Sequence, residues 1–483
     1  MNAHTRSSST SLLSAFEERL GSGDVMSELA RGLVGRHAEI EGPFGRKPLV
    51  YADYVASGRA LMQVEQFILE DVLPFYANSH TEASYCGGMM TRLRREARAK
   101  IAELCGADAR HAVIFAGSGA TAGINRLVRL FGADRERTLV LLGPYEHHSN
   151  ILPWRESGAE IVELPEGPDG GPHPDALARQ LAASSGYDRV ICSFSAASNV
   201  TGIIADVAGL TRIVKNAGAR MIWDYAGGGP YLPISMVPEE GAEIDAIIAS
   251  PHKFIGGPGA SGILIVRRDA VDCDLPTWPG GGTVRFVSSQ GHDYAQGLEA
   301  REEAGTPNVV GDIRAALAFI VKHVIGSERL ATRNAELVRR AFGAWAENQN
   351  IELLGDLAMR RLPIFSFRLR DGNGGYVHQQ LATRMLSDRF GIQARGGCAC
   401  AGPYVHRLLN ISDDESARLR AAILAGEEME KPGFVRLNLS VLLEDEKVDF
   451  ILRSVSQLAG DAADYAPLYG FDPSRAIFFP KAA

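Results

Sequence analysis

Lys253 stands in Ser250-Pro251-His252-Lys253 at the end of an apolar, strand-like run and is followed by Gly256, Gly257, Pro258, Gly259 and Gly262. Ligands of α/β sheets lie at the C-terminal edges of strands, and chain-bending glycines can hold a lysine there against a cofactor to form a Schiff base. A loop lysine can equally be a solvated charge. Gly117-Ser118-Gly119-Ala120-Thr121 follows another apolar run and opens a helix near Ala122, which offers backbone N–H groups and a hydroxyl to a phosphate. A Gly-rich turn without a ligand has the same composition, and no GxGxxG or Walker lysine argues for a dinucleotide or a nucleoside triphosphate. Asp224 ends the run Met221-Ile222-Trp223 and precedes Tyr225, Ala226 and three glycines. A carboxylate fixed at a sheet edge suits a protonated ring nitrogen, although a helix cap or turn would use the same residue.

Glu146-His147-His148 and Ser198-Asn199 also follow strand patterns. Adjacent histidines rarely aim both rings at one ion and no third ligand is near in sequence, so no metal is expected. Cys398 and Cys400 lie in Arg395-Gly396-Gly397-Cys398-Ala399-Cys400-Ala401-Gly402-Pro403, read as a flexible loop able to move a thiol, with an arginine to favour thiolate. A C-x-C pair is also half of some metal sites, but Cys86, Cys105, Cys192 and Cys273 show no second paired spacing and read as small buried apolar residues.

These residues need a scaffold, and the 483-residue chain can supply one, with a length equivalent to about three domains. Hydrophobic residues make up 46%, which excludes disorder as the main state, and six cysteines over this length exclude a disulfide-stapled scaffold. The net charge of −8 and the lack of a long basic run argue against nucleic acid or an anionic membrane as partner. No run of 18 apolar residues occurs, and the N-terminal MNAHTRSSSTSLLSAF has polar residues where a signal peptide needs its apolar centre, so the expected setting is a reducing cytoplasm with free thiols.

Between about 110 and 270, apolar runs at 112–116, 138–142, 189–194, 220–223, 244–249 and 262–266 alternate with helical patterns. Such continuous runs describe a parallel sheet covered on both faces. Beyond about 310 come long helical patterns at 312–325 and 329–348 and isolated strand patterns at 362–369 and 434–439, the texture of a smaller α+β domain. The acidic, helix-prone segment 412–430 reads as an insertion, and residues 1 to about 10 as a frayed end.

Taken in order, these segments resemble the class V aminotransferase family of pyridoxal phosphate enzymes, in its cysteine desulfurase and selenocysteine lyase branch. The resemblance spans roughly 48–455 and rests on Tyr51-Ala52-Asp53 with Ala56-Ser57, Gly119-Ala120-Thr121, Glu146-His147-His148, Ser198-Asn199-Val200, Asp224, Ser250 with His252-Lys253, Gly305-Thr306-Pro307-Asn308, Arg395 with Cys400-Ala401-Gly402-Pro403, and Arg436. It implies fold type I: a large domain with a mainly parallel seven-stranded sheet over 48–310, a smaller α+β domain over 311–483 that carries the cysteine loop, and an extension over 1–47 joined to or packed on the smaller domain.

The resemblance further implies pyridoxal 5'-phosphate as cofactor, with Lys253 as its attachment amine and as the base at the substrate's α-carbon. Asp224 would hold the ring nitrogen's proton, His147 would stack on the ring and Asn199 would bond its phenolic oxygen. Ala120, Thr121, Ser250 and His252 would hold the phosphate, and Thr306 would reach a phosphate across a homodimer interface. Arg436, assisted by Arg395, would grip the carboxylate of an amino acid, cysteine first, with Asn199 also contacting the substrate, and Cys400 would take its sulfur as a persulfide for a sulfur-acceptor protein. Cys398 is read as incidental. Two positions depart from the family's desulfurases: Gly227, where Gln is common, and Tyr231, where a histidine is common. They open a second reading with the same cofactor: transamination, epimerisation or elimination on another amino acid, including selenocysteine. The non-enzymatic alternative is a cofactor-free scaffold that uses the Cys398/Cys400 loop for docking or metal.

Overall fold

The computed structural model describes residues 11–79 and 82–481; the N-terminal stretch read as frayed lies almost wholly outside them. Seven strands form the main sheet: β1 (His111–Gly117), β2 (Thr138–Leu142), β3 (Glu160–Glu163), β4 (Arg189–Ser195), β5 (Arg220–Asp224), β6 (Ala246–Ala249) and β7 (Gly262–Arg267). Their spatial order is β1-β7-β6-β5-β4-β2-β3, with β7 antiparallel to both neighbours and the other pairs parallel.

Both faces are covered, as the continuous apolar runs require. Along β1, Val113 and Phe115 enter the core on one face while Ala112, Ile114 and Ala116 enter the core on the other. Leu139 and Leu141 of β2 alternate with Val140 and Leu142 in the same way. The edge strand β3 was not read from sequence, because its Glu-Ile-Val-Glu is only partly buried.

A second sheet contains β8 (Ile351–Leu353), β9 (Ile364–Leu369), β10 (Arg395–Gly397) and β11 (Phe434–Asn438), in the order β8-β9-β11-β10. Val435 and Leu437 point into its own core with Trp345, Phe365 and Phe367, so Arg436 and Asn438 face the opposite side. In the segment 1–47, expected to join or pack on the smaller domain, α1 (Leu12–Gly21) and α2 (Val25–Arg31) instead bury Leu13, Phe16, Leu20 and Leu29 in the main sheet's core. The hairpin at 39–48 reaches the helix Gln379–Phe390 beside the second sheet, and Arg36 meets Glu444 and accepts from Lys447 through its carbonyl, so the segment touches the smaller domain as well. Among the described residues no helix is long and apolar enough to cross a membrane.

Candidate active site

The main sheet's direction brings five strand ends to one edge. The segments after β1, β2, β4, β5 and β6 line a cavity of about 240 Å³ that contains Ala120, Thr121, His147, Asn199, Asp224, Ser250, His252 and Lys253. Arg395, Cys400 and Arg436 close it from the second sheet. All the expected site residues thus meet in one place except Thr306, which is exposed on a loop outside this cavity.

Lys253 ends a single 3₁₀ turn, Pro251–Lys253, directly after β6. The segment containing Tyr51 and Asp53 lies across it: the Gly58 N–H donates to the His252 carbonyl at 2.9 Å, and a Cβ at residue 58 would stand 1.8 Å from the Phe254 carbonyl oxygen. Only glycine permits that approach. Burial pushes the Lys253 amine down to about 8, with Arg436 and Arg395 lowering it further and Asp224 opposing them.

Asp224, at the tip of β5, is 3% exposed and accepts one bond, from the Ala226 N–H at 2.7 Å. Burial pushes this carboxyl up, and Lys253 partly offsets the effect. Beneath it the Glu146 carboxylate accepts from Ser195 N and Oγ and from Asn150 Nδ2 at 2.6–2.8 Å. Burial still pushes Glu146 up to about 8.

His147 is held by its own neighbour. Its Nδ1 accepts from the Ser149 N–H at 3.0 Å, and Ser149 Oγ meets Thr121 Oγ1 at 2.7 Å. Burial, with Lys253 nearby, pushes the ring down to about 4, so it is neutral at physiological pH and suited to lie against a ring. Ser149 was not singled out from sequence; its place two residues after a histidine was the available signal.

At the start of the helix Gly119–Leu130, Ser250 Oγ accepts from the Ala120 N–H at 2.9 Å. A Cβ on Gly119, whose φ is +67°, would lie 2.9 Å from Ser250 Oγ and 3.2 Å from His252 Cε1. A side chain there would fill the cradle that the N–H groups open onto.

β10 and β11 pair antiparallel with Arg395 opposite Arg436, which puts both guanidinium groups on the cavity face. Asp53 joins them, accepting from Arg395 Nε at 3.0 Å and from Arg436 Nη2 at 3.1 Å. Arg436 Nη1 donates to the Asn199 carbonyl at 3.1 Å, while its Nε is buried without a partner. In the sequence Asp53 is one residue of a motif, and nothing local to it signals this role.

The cysteine segment, expected to be a flexible loop throughout, begins as a strand. Residues 395–397 are strand, and 398–401 form a tight turn closed by the Ala401 N–H to the Cys398 carbonyl, with Ala399 and Cys400 at φ +50° and +55°. Three external bonds hold it: Asn199 Nδ2 to the Ala399 carbonyl (2.8 Å), the His148 N–H to the Cys400 carbonyl (2.8 Å), and the Gly402 N–H to His148 Nε2 (3.0 Å). Cys400 is exposed, whereas Cys398 packs among Tyr145, Tyr404 and Phe434. Cys105 and Cys192 are buried as expected, but Cys86 and Cys273 are only half-buried. Tyr231 turns away from the cavity and its hydroxyl accepts from Asn438 Nδ2 at 2.8 Å, while Gly227 stays in the wall.

These residues fit pyridoxal 5'-phosphate: a buried carboxylate with one partner, an amine whose proton is weakly held, a neutral imidazole, and an N–H cradle that a Cβ would fill. The comparisons agree in kind. Residues 50–449 match the family model "Aminotransferase class-V", a family that uses this cofactor. The chain is 28% identical over 366 residues to a cysteine desulfurase of Enterobacter sp. (strain 638), covering 74% of this chain and 86% of that protein. It is 27% identical over 428 residues to a probable cysteine desulfurase of Mycolicibacterium paratuberculosis, covering 86% of this chain but only 56% of that longer protein. Among solved structures it resembles the cysteine desulfurase CsdA of Escherichia coli, with TM-score 0.71, 21% identity, and coverage of 91% of this chain and 100% of that one. It also resembles the cysteine desulfurase of Thermococcus onnurineus NA1, with TM-score 0.70, 24% identity, and coverage of 85% and 95%. The structural likenesses show the fold, that of fold type I enzymes, and the match over most of the chain shows the rest: this protein belongs to the class V aminotransferase family.

Proposed function

We propose that the chain is a pyridoxal 5'-phosphate-dependent cysteine desulfurase that converts L-cysteine to alanine and leaves the sulfur as a persulfide on Cys400. The observation that carries this reading is the position of Cys400: a thiol on a tight turn that shares one cavity with Lys253, Asp224 and the Arg395/Arg436 pair. The cofactor, when bound, supplies an electron sink conjugated to the substrate's α-carbon. Asp224 would hold the ring nitrogen's proton, His147 would lie against the ring, and Ala120, Thr121, Ser250 and His252 would hold the phosphate.

Arg436 and Arg395 hold the substrate carboxylate, orienting the α-carbon toward Lys253. With its amine near 8, Lys253 is neutral in a useful fraction of molecules at physiological pH and can carry a proton from and to that carbon. The Cys400 thiolate attacks the substrate sulfur, an S–S bond forms as the Cβ–S bond breaks, and a proton returned to carbon completes alanine, so that cysteine plus thiol gives alanine plus persulfide. A homodimer, with Thr306 reaching the partner's cofactor phosphate, and an acceptor protein for the persulfide complete the reading. Incubation with cysteine, cofactor and a reductant should release sulfide and alanine in equal amounts. Absence of sulfide, or undiminished release from C400A, would overturn it.

A second reading keeps the cofactor and changes the amino acid or the reaction, selenocysteine included. Gly227 in the cavity wall favours it, because the wall there carries no side chain to contact a ring. An amino-acid panel scored for keto acid, racemised product, selenide and ammonia separates the two.

A further inference from the structure

Two arginines of the cavity wall, Arg395 and Arg436, meet one carboxylate, Asp53, that is not itself part of the lining. Asp53 is 8% exposed and bonds both Arg395 and Arg436, whose side chain is 4% exposed. The two guanidinium groups and one carboxylate leave a single positive charge there. Asp53 cannot swing away easily. Residues 50–51 pair in parallel with 392–393, the Ala52 N–H donates to the Gln393 carbonyl at 3.0 Å, and the Asp53 carbonyl accepts from the Tyr51 hydroxyl and the Ala56 N–H. The paired segment 392–393 runs two residues later into Arg395, which in turn pairs with Arg436, so two adjoining strand pairings set all three charges.

A substrate carboxylate bound there would neutralise the remaining charge. A second anionic group on the substrate would then find no uncompensated cation in this trio, because Asp53, set behind the arginines and outside the cavity lining, already cancels one of their two charges. We propose that Asp53 is a specificity-determining residue that matches this pocket to amino acids with one carboxylate and an uncharged side chain, and disfavours dicarboxylates. The inference deepens the reading of Arg395 and Arg436 as the carboxylate grip and rests on it.

Calorimetric binding of propionate and of succinate to the cofactor-loaded protein at pH 8 tests it without any chemistry. Wild type should bind propionate at least as tightly as succinate; tighter succinate binding would overturn the inference even if no variant folds. D53N, nearly isosteric, should shift the ratio toward succinate by about tenfold, since the charge that cancels one arginine has been removed. D53E, which restores the charge, should return the ratio toward wild type. An unchanged ratio in D53N, or D53E behaving like D53N, would refute a charge-setting role. C400A should keep the wild-type binding ratio while losing sulfide release; undiminished sulfide from C400A would remove the desulfuration reading and leave the binding ratio to judge Asp53.

Discussion

The Cys400 turn holds two non-glycine residues in the left-handed region, at a cost of roughly 1–2 kcal/mol each. It persists because outside groups over-determine it. The three external bonds each contribute about 1 kcal/mol net, comparable in sum to the strain, so the turn is balanced rather than locked. His148→Ala removes only the acceptor of the Gly402 N–H; the bond from the His148 backbone to the Cys400 carbonyl survives. That N–H is one of those at the start of the helix Gly402–Leu408 that have no partner within the helix, and water can reach it in part, so the loss belongs at the low end, about 1–1.4 kcal/mol. The equilibrium constant for the observed turn should fall about fivefold to tenfold, and from a balanced start its population about threefold to fivefold. If attack on sulfur uses this turn, kcat for sulfide release falls by that factor while KM for cysteine stays, since Arg395 and Arg436 are untouched. Hydrogen exchange at residues 399–402 should accelerate in parallel. His148→Gln, which can place an amide oxygen near the position of Nε2, should recover most of both. A kcat within twofold of wild type, or H148Q as impaired as H148A, would refute the idea that His148 positions the thiol.

Two further perturbations read the cavity's electrostatics. Competitive reductive methylation of the cofactor-free protein should label Lys253 with a midpoint near pH 8, because burial lowers its amine; a midpoint near 10.4, as for surface lysines, would contradict that. For Glu146, burial raises the carboxyl from 4.5 to about 8 in the folded protein, so the native state binds more protons than the unfolded state between those values and stability falls as pH rises through them. Thermal melting of wild type relative to Glu146→Gln should therefore worsen steadily from pH 4.5 to pH 8, and a pH-independent difference would show that Glu146 does not titrate in this range.

How far the sequence spoke depended on where each residue's partners lie. Strands β2, β4, β5 and β7 were legible to within about one residue because they are buried on both faces, which forces short uninterrupted apolar runs bounded by turn residues; the buried helix Val309–Ile325 carries a similar run and is told apart by its length. Lys253, Asp224 and the Gly119 cradle were legible for a related reason: each sits at the end of such a run, so the run's end marks the functional edge. β3 escaped because a half-exposed edge strand has no such pattern, and β10 because Arg-Gly-Gly has the composition of a loop and becomes strand only by pairing with β11. Asp53 and His148 had no legible role, since the groups they hold lie 342 and 254 residues away in the chain. The turn that carries the thiol was illegible on the same point: the glycines of 396–397 are spent on the strand and its exit, and the turn itself is built from alanine and cysteine in a conformation that outside bonds must support. Local composition thus reports what a segment is free to do, whereas a catalytic position is defined by what other segments prevent it from doing, and in this fold those constraints arrive from residues that the chain order keeps far apart.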